Sequence, residues 1–279
     1  MLAASPNTLP RGHFLVEPYI YDVRTSHSNG FGSLTYLNYG LTNKITVGLI
    51  PTFGFNMVRE GTNSSGIGVG DLSLLAQYRL TQFHAGRWIP TTAVVVQEAL
   101  PTGAFDKLGG RPSDGLGAGA YTTTLSLYSQ TYFWMPSGRI LRTRLDVSGA
   151  FSNTVQLEDV SVYGTGTGFR GHAHPGSSVF MDLAGEYSLT QRWVLGLDLT
   201  YRHGSNTRVA GYDILDPESV QNPPSIVFNS GSSDAFGFAP AIEYNWTPKL
   251  GVLLGTRVNL AGHNSTSSIT PAIAINMFY

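Results

Sequence analysis

Apolar and polar residues alternate with period two along most of this chain, the pattern of strands whose two faces meet different surroundings. Over residues 44–57, Ile45, Val47, Leu49, Pro51, Phe53, Phe55 and Met57 share one face, and Thr46, Gly48, Ile50, Thr52, Gly54 and Asn56 share the other. Residues 71–80 set Leu72, Leu74, Ala76, Tyr78 and Leu80 against Asp71, Ser73, Leu75, Gln77 and Arg79. Residues 140–151 set Leu141, Leu145, Val147 and Phe151 against Arg142, Arg144 and Asp146. Segments 178–189, 193–202 and 236–246 repeat the theme, with Asp182 and Glu186, Asp198 and Arg202, and Glu243 on their polar faces. Weaker stretches at 13–24, 33–41, 90–101, 116–132, 250–261 and 268–279 bring the prediction to twelve strands. Two of these keep an ambiguous facing: Gln97 and Glu98 fall on opposite faces of one, and Gly117, Gly119 and a threonine run dilute the other.

A soluble sandwich would turn every apolar face inward, and twelve strands in a ring enclose a lumen too wide for those side chains to fill. A membrane barrel turns the apolar face to lipid and the charges inward, which accounts for both faces. The predicted fold is therefore all-β, a twelve-stranded antiparallel transmembrane β-barrel. The connections agree, because barrels of bacterial outer membranes alternate short turns with long outer loops. Short links fall near residues 42–43, 81–88, 135–138, 190–191 and 247–249. Polar stretches near 25–32, 58–70, 102–115, 152–177, 203–234 and 262–268 read as extracellular loops. An even strand count then places both termini on the periplasmic side, with residues 1–11 as a periplasmic N-terminal segment and 12–279 as the barrel. Ile273, Ile275, Met277 and Tyr279 alternate to a terminal aromatic, as in a final strand read by the outer-membrane assembly machinery. Tyr19, Tyr21, Tyr39, Tyr132, Phe133, Trp134, Trp193, Tyr244 and Trp246 lie near predicted strand ends and read as an aromatic girdle.

Composition narrows the picture. Only 13% of the 279 residues are charged, about half the usual share for a soluble domain, while no apolar run is long enough for a membrane helix. A net charge of −1 with scattered basic residues gives no footprint for nucleic acid. Only Lys44, Lys107 and Lys249 are lysines among the seventeen basic residues, so the positive charge is nearly all guanidinium, suited to fixed hydrogen-bond networks. With no cysteine there is no disulfide framework and no thiolate chemistry. Met1-Leu2-Ala3-Ala4-Ser5 is too short for a secretory signal, and the chain reads as a mature form.

Several segments resemble the outer-membrane transporter family named for the meta pathway of phenol degradation. They are Pro6-Asn7-Thr8-Leu9-Pro10-Arg11-Gly12 before Glu17-Pro18, Tyr39-Gly40-Leu41-Thr42, Gly68-Val69-Gly70-Asp71-Leu72 with Tyr78-Arg79-Leu80, and Leu100-Pro101-Thr102-Gly103. The likeness is clear over roughly the first 40% of the chain and is a pattern match beyond it. It implies a transporter of small aromatic molecules and carries no binding residues with it; the chain reads as a channel for passive diffusion of small, aromatic or hydrophobic solutes through a charged lumen.

The lumen residues expected to meet a permeant are Arg79, Arg142, Arg144, Asp146, Asp182, Glu186, Asp198, Arg202, Glu243 and Arg257, with Glu17 and Asp71 on the same faces. They read either as rings of charge that select permeants or as an ion-pair network that braces a narrow bore. The loop at 203–234 is long enough to fold over the mouth and set permeant size. His172 and His174 lack a third metal ligand, and the glycine strings at 66–70 and 164–168 precede no helix, so neither metal nor cofactor is expected. An outer-membrane hydrolase remains an alternative, with His203, Ser205 and Asp198, or His263 and Ser265, as its groups. A surface receptor or adhesin acting through the long loops is another. The expected partners are outer-membrane lipids and a small solute, and the expected state is a monomer.

Overall fold

The computed structural model describes residues 3–279. Its strands are β1 (Phe14–Arg24), β2 (Ser28–Thr42), β3 (Ile45–Ile50), β4 (Thr52–Val58), β5 (Gly68–Val69), β6 (Leu72–Thr81), β7 (Thr91–Leu100), β8 (Thr122–Trp134) and β9 (Ile140–Ser152). They continue as β10 (Val155–Glu158), β11 (Phe169–His174), β12 (Ser178–Ser188), β13 (Trp193–Gly204), β14 (Arg208–Asp213), β15 (Ile226–Asn229), β16 (Ser233–Thr247), β17 (Leu250–Asn259) and β18 (Ser268–Phe278). One five-residue helix, α1 (Pro217–Gln221), interrupts the β14–β15 connection.

The ring runs β1-β2-β3/β4-β5/β6-β7-β8-β9-β12-β13-β16-β17-β18 and returns to β1, every pairing antiparallel. It is a closed barrel of twelve staves, because β3 and β4 form one stave broken at Pro51, and β5 and β6 another broken at Gly70-Asp71. The facing is the inversion expected of a membrane barrel. Leu183 and Leu199 are each 52% exposed on the outer wall, while Asp182 and Asp198 beside them are 0% exposed within. On β7 and β8, Gln97 turns inward. Glu98 turns outward, cross-strand from Leu74 on β6, and accepts a bond from Thr123 Oγ1 at 2.6 Å.

At the loop end, β10, β11, β14 and β15 form a second sheet in that order, which is the order of the staves β9, β12, β13 and β16 that carry them. Parts of segments 152–177 and 203–234 thus extend the wall upward. Val155, Leu157, Phe169, Ala173 and Val209 make its apolar core with Ala120, and Phe105, Tyr163 and Ile226 pack against it. Two expectations shift. Residues 28–32 belong to β2, leaving a tight link of residues 25–27 in place of a long loop. Tyr19, Tyr21 and Tyr132 face the lumen, cross-strand from the inward Arg142 in the case of Tyr132, whereas Trp193, Tyr244 and Trp246 pack together on the outer wall.

Candidate functional site: the charged lumen and its plug

Strand alternation brings three neighbouring staves to one place in the bore. Asp182 of β12 lies directly across from Asp146 of β9, and Glu186 lies across from Arg142. Two carboxylates facing each other across a ladder repel, so the site needs positive charge and donors nearby. Arg142 pairs with Glu186, and Arg144 Nη1 reaches Glu186 Oε1 at 3.1 Å. Arg144 Nε also donates to Gln130 Oε1 at 2.9 Å, and Gln130 Nε2 donates to Tyr132 OH at 2.7 Å.

The remaining bonds of this network go to the chain's own N-terminal segment. Residues 3–11, expected on the periplasmic side, enter the lumen from the end that carries the short turns. Arg144 Nη1 donates to Ala3 O at 2.7 Å, and Ala4 N donates to Asp146 Oδ2 at 2.6 Å. Lower down, Gln77 Nε2 donates to Ser5 O at 3.0 Å and Leu9 N to Thr46 Oγ1 at 2.8 Å. Asn43 holds the exit, accepting from Thr8 Oγ1, Arg11 N and Arg79 Nη2 at 2.8, 3.0 and 2.9 Å. Gly40 allows the approach, since a side chain there would strike the carbonyls of Leu9 and Pro10. Two prolines and an extended run give this segment carbonyl acceptors, which the inward amide and guanidinium donors satisfy.

The twelve inward charges therefore divide. Arg142, Arg144, Asp146, Asp182, Glu186 and Asp198 gather at the plug. Arg79 braces the turn end, and Glu243 accepts from Asn245 Nδ2 at 2.9 Å. Arg202 lies over the Phe180 ring at 5.2 Å, Glu17 accepts from Tyr19 OH at 3.2 Å, and the Arg257 Nε is buried without a hydrogen-bond partner. Asp71 acts at the opposite end of the bore, where its carboxylate accepts from Gly103 N at 3.0 Å and Ala118 N at 2.8 Å, pinning segment 101–121 across the loop-end mouth. Lys107 N, Leu108 N and Val162 N then tie that segment to the upper sheet. Of the inward amides, Gln77 meets the plug directly through Ser5 O, whereas Gln130 is taken up by Arg144 and Tyr132.

Neither hydrolase group assembles. His203 Nδ1 meets Asp234 Oδ1 at 2.9 Å on the outer wall, but Asp198 points into the lumen and Ser205 pairs with Ser177. Ser265 Oγ donates to Asp234 O at 2.8 Å. His172 and His174 stack at 4.8 Å, and the described residues hold no group of three or more metal-ligating side chains.

A closed ring with an apolar outer wall and a charged bore is an integral outer-membrane β-barrel. The family model described as "Putative MetA-pathway of phenol degradation" matches residues 2–270, and the chain belongs to that family. Among solved structures, the fold is similar to that of the COG4313 outer membrane channel from Pseudomonas putida F1, at 15% identity over 100% of both chains and a TM-score of 0.71. It is more loosely similar to the β domain of the Bordetella autotransporter BrkA, at 9% identity over 96% of this chain and 100% of that one, with a TM-score of 0.51. No curated protein matches the chain.

Proposed function

We propose that this protein is a passive outer-membrane channel for small aromatic or hydrophobic solutes, with its termini periplasmic and residues 3–9 acting as a displaceable plug. One observation carries the reading: the middle of the bore is filled by a segment of main chain held through a few hydrogen bonds, not by interlocked side chains. A packed core cannot leave; an extended segment with one anchored end can. The family's tie to phenol degradation supports the solute class, as does the apolar lining of the loop-end vestibule. The similarly folded Pseudomonas protein is itself an outer-membrane channel. The protein works as a monomer without cofactor or covalent chemistry.

The test is single-channel recording from the refolded protein in a planar bilayer, with neutral phenols and small aromatic acids as blockers. The full chain gives brief, small conductance steps. Removing residues 3–9 gives larger, sustained ones that the phenols interrupt. A truncated protein that inserts and never conducts would overturn the reading.

A further inference from the structure

Near the loop end, β1, β2, β4 and β5 turn few side chains into the bore. By register, their inward positions fall in rows across the wall: Val23, Gly30 and Asn56 in one, and Tyr21, Gly32, Gly54 and Gly68 in the next, with Leu34 and Thr52 nearer the plug. Glycine weakens a strand interior, and it marks places where another group approaches the backbone closely. Two side chains make that approach. A Cβ on Gly32 would strike the Tyr21 ring, and one on Gly68 would stand 2.7 Å from Leu116 Cδ1, so Tyr21 of β1 and Leu116 of segment 101–121 lie against the glycine row from its two ends.

Between them a cavity of about 380 Å³ remains, closed on its other sides by Val23, Thr52 and Asn56. No charged side chain lines it. Asn56 donates through Nδ2 to Ser113 O at 2.9 Å, while no hydrogen bond among the described residues reaches its Oδ1 or the Tyr21 hydroxyl. That Oδ1 stands over the glycine floor, 3.0 Å from where a Cβ on Gly30 would be. Sites for small molecules combine a mostly apolar lining with a few polar groups that fix orientation. An apolar cavity of about 150 Å³ holds a benzene ring, so this one has room for a ring and a substituent.

We propose that this cavity is a binding site for the permeant, and that it selects an uncharged single aromatic ring bearing a hydroxyl group. The ring lies over the glycines between Tyr21 and Leu116, and its O–H donates to Asn56 Oδ1. The inference rests on the channel reading above and adds the site and the chemical feature that it reads. A ring without a donor displaces water from Asn56 Oδ1 and leaves that acceptor unsatisfied, which costs affinity. A ring carrying a carboxylate meets no cation among the lining residues and gives up its hydration without a partner.

Equilibrium dialysis of the refolded full-length protein in detergent against radiolabelled phenol tests the site, with protein-free micelles subtracted. Phenol binds saturably, and both benzoate and anisole, the same ring with a methyl group in place of the hydroxyl hydrogen, displace it several-fold less well than unlabelled phenol does. Asn56→Leu lowers phenol affinity several-fold, to that of anisole. Gly30→Val fills the floor with a residue that suits a strand and abolishes binding of both. An unchanged denaturant midpoint certifies that the variants fold, and the comparison of phenol with anisole needs no variant. Anisole binding as tightly as phenol, or phenol binding that Gly30→Val leaves unchanged, overturns the site. Conductance of the same preparation separates this outcome from failure of the channel reading. Conductance steps without phenol binding overturn the site and leave the channel standing, whereas binding that responds to both variants in a protein that never conducts supports the site and overturns the channel.

Discussion

The two ends of the lumen are closed by different physics. The turn-end half is filled by the N-terminal segment, whose backbone is held by buried arginine, aspartate and glutamine side chains. The loop-end half is lined by glycines, Tyr21, Val23 and Leu116, and is roofed by a segment packed on an apolar sheet. Polar closure in a low-dielectric bore is directional and fails when one partner is lost, whereas apolar closure tolerates small shifts. An opening step is thus expected at the plug, and selection by size and polarity at the roof.

Removing residues 3–9 breaks the comparison most sharply. It deletes every bond of the plug and leaves the roof intact, so single-channel conductance rises several-fold while solute preference stays. Next in size is Glu186→Gln. That change leaves Arg142 and Arg144 without their carboxylate in a buried site, and stranding a buried charge costs about 3–5 kcal/mol. The measured outcome is a lower denaturant midpoint for barrel unfolding. A change no larger than that of an outer-wall Leu183→Ala control would show that the bore charges are solvated, not paired.

The barrel was legible in the sequence because period-two alternation is a local signal: Leu183 and Asp182 differ in facing by one residue and in polarity by their side chains. The charged residues of the bore were legible for the same reason. The plug was not, because Ala3, Ala4, Ser5 and Leu9 bond through backbone atoms, which carry no side-chain pattern, with residues up to 142 positions away. The roof was half legible: segment 203–234 was expected over the mouth, but the upper sheet depends on pairings between loops that no single loop encodes. Tyr19, Tyr21 and Tyr132 misled because a tyrosine near a strand end suits either a headgroup layer or a polar lumen, and only register decides.

Asp71→Ala sharpens the comparison from the other side. The carboxylate accepts from two backbone N–H groups of the roof, and hydrogen bonds to charged groups contribute about 1.5–3 kcal/mol each. Losing them frees segment 101–121 while Phe105 and Ala120 still pack on the upper sheet. Protease cleavage within 102–118 becomes faster, phenol block weakens, and unfolding of the barrel barely moves. Unchanged cleavage would mean that apolar packing alone holds the roof.

The smallest effect belongs to the exposed pair Lys107–Glu158, which joins roof to upper sheet at 2.8 Å. Their hydrogen bond and mutual charge hold the Glu158 carboxyl below its ordinary pKa and raise the Lys107 ammonium above its own. Glu158 therefore contributes above the ordinary glutamate pKa and loses its contribution as pH falls through the lowered value. Lys107 contributes below the ordinary lysine pKa and loses it as pH rises through the raised value. The link is complete only between those limits, and salt screens it because both groups are exposed. Amide exchange across 105–109 should be slowest near neutral pH, quicken slightly at either extreme, and lose that dependence in Glu158→Gln or at high salt. Exchange that ignores both pH and salt, after correction for intrinsic chemistry, would assign the whole of this attachment to the backbone bonds of Lys107 and Leu108 with Glu158 and Val160.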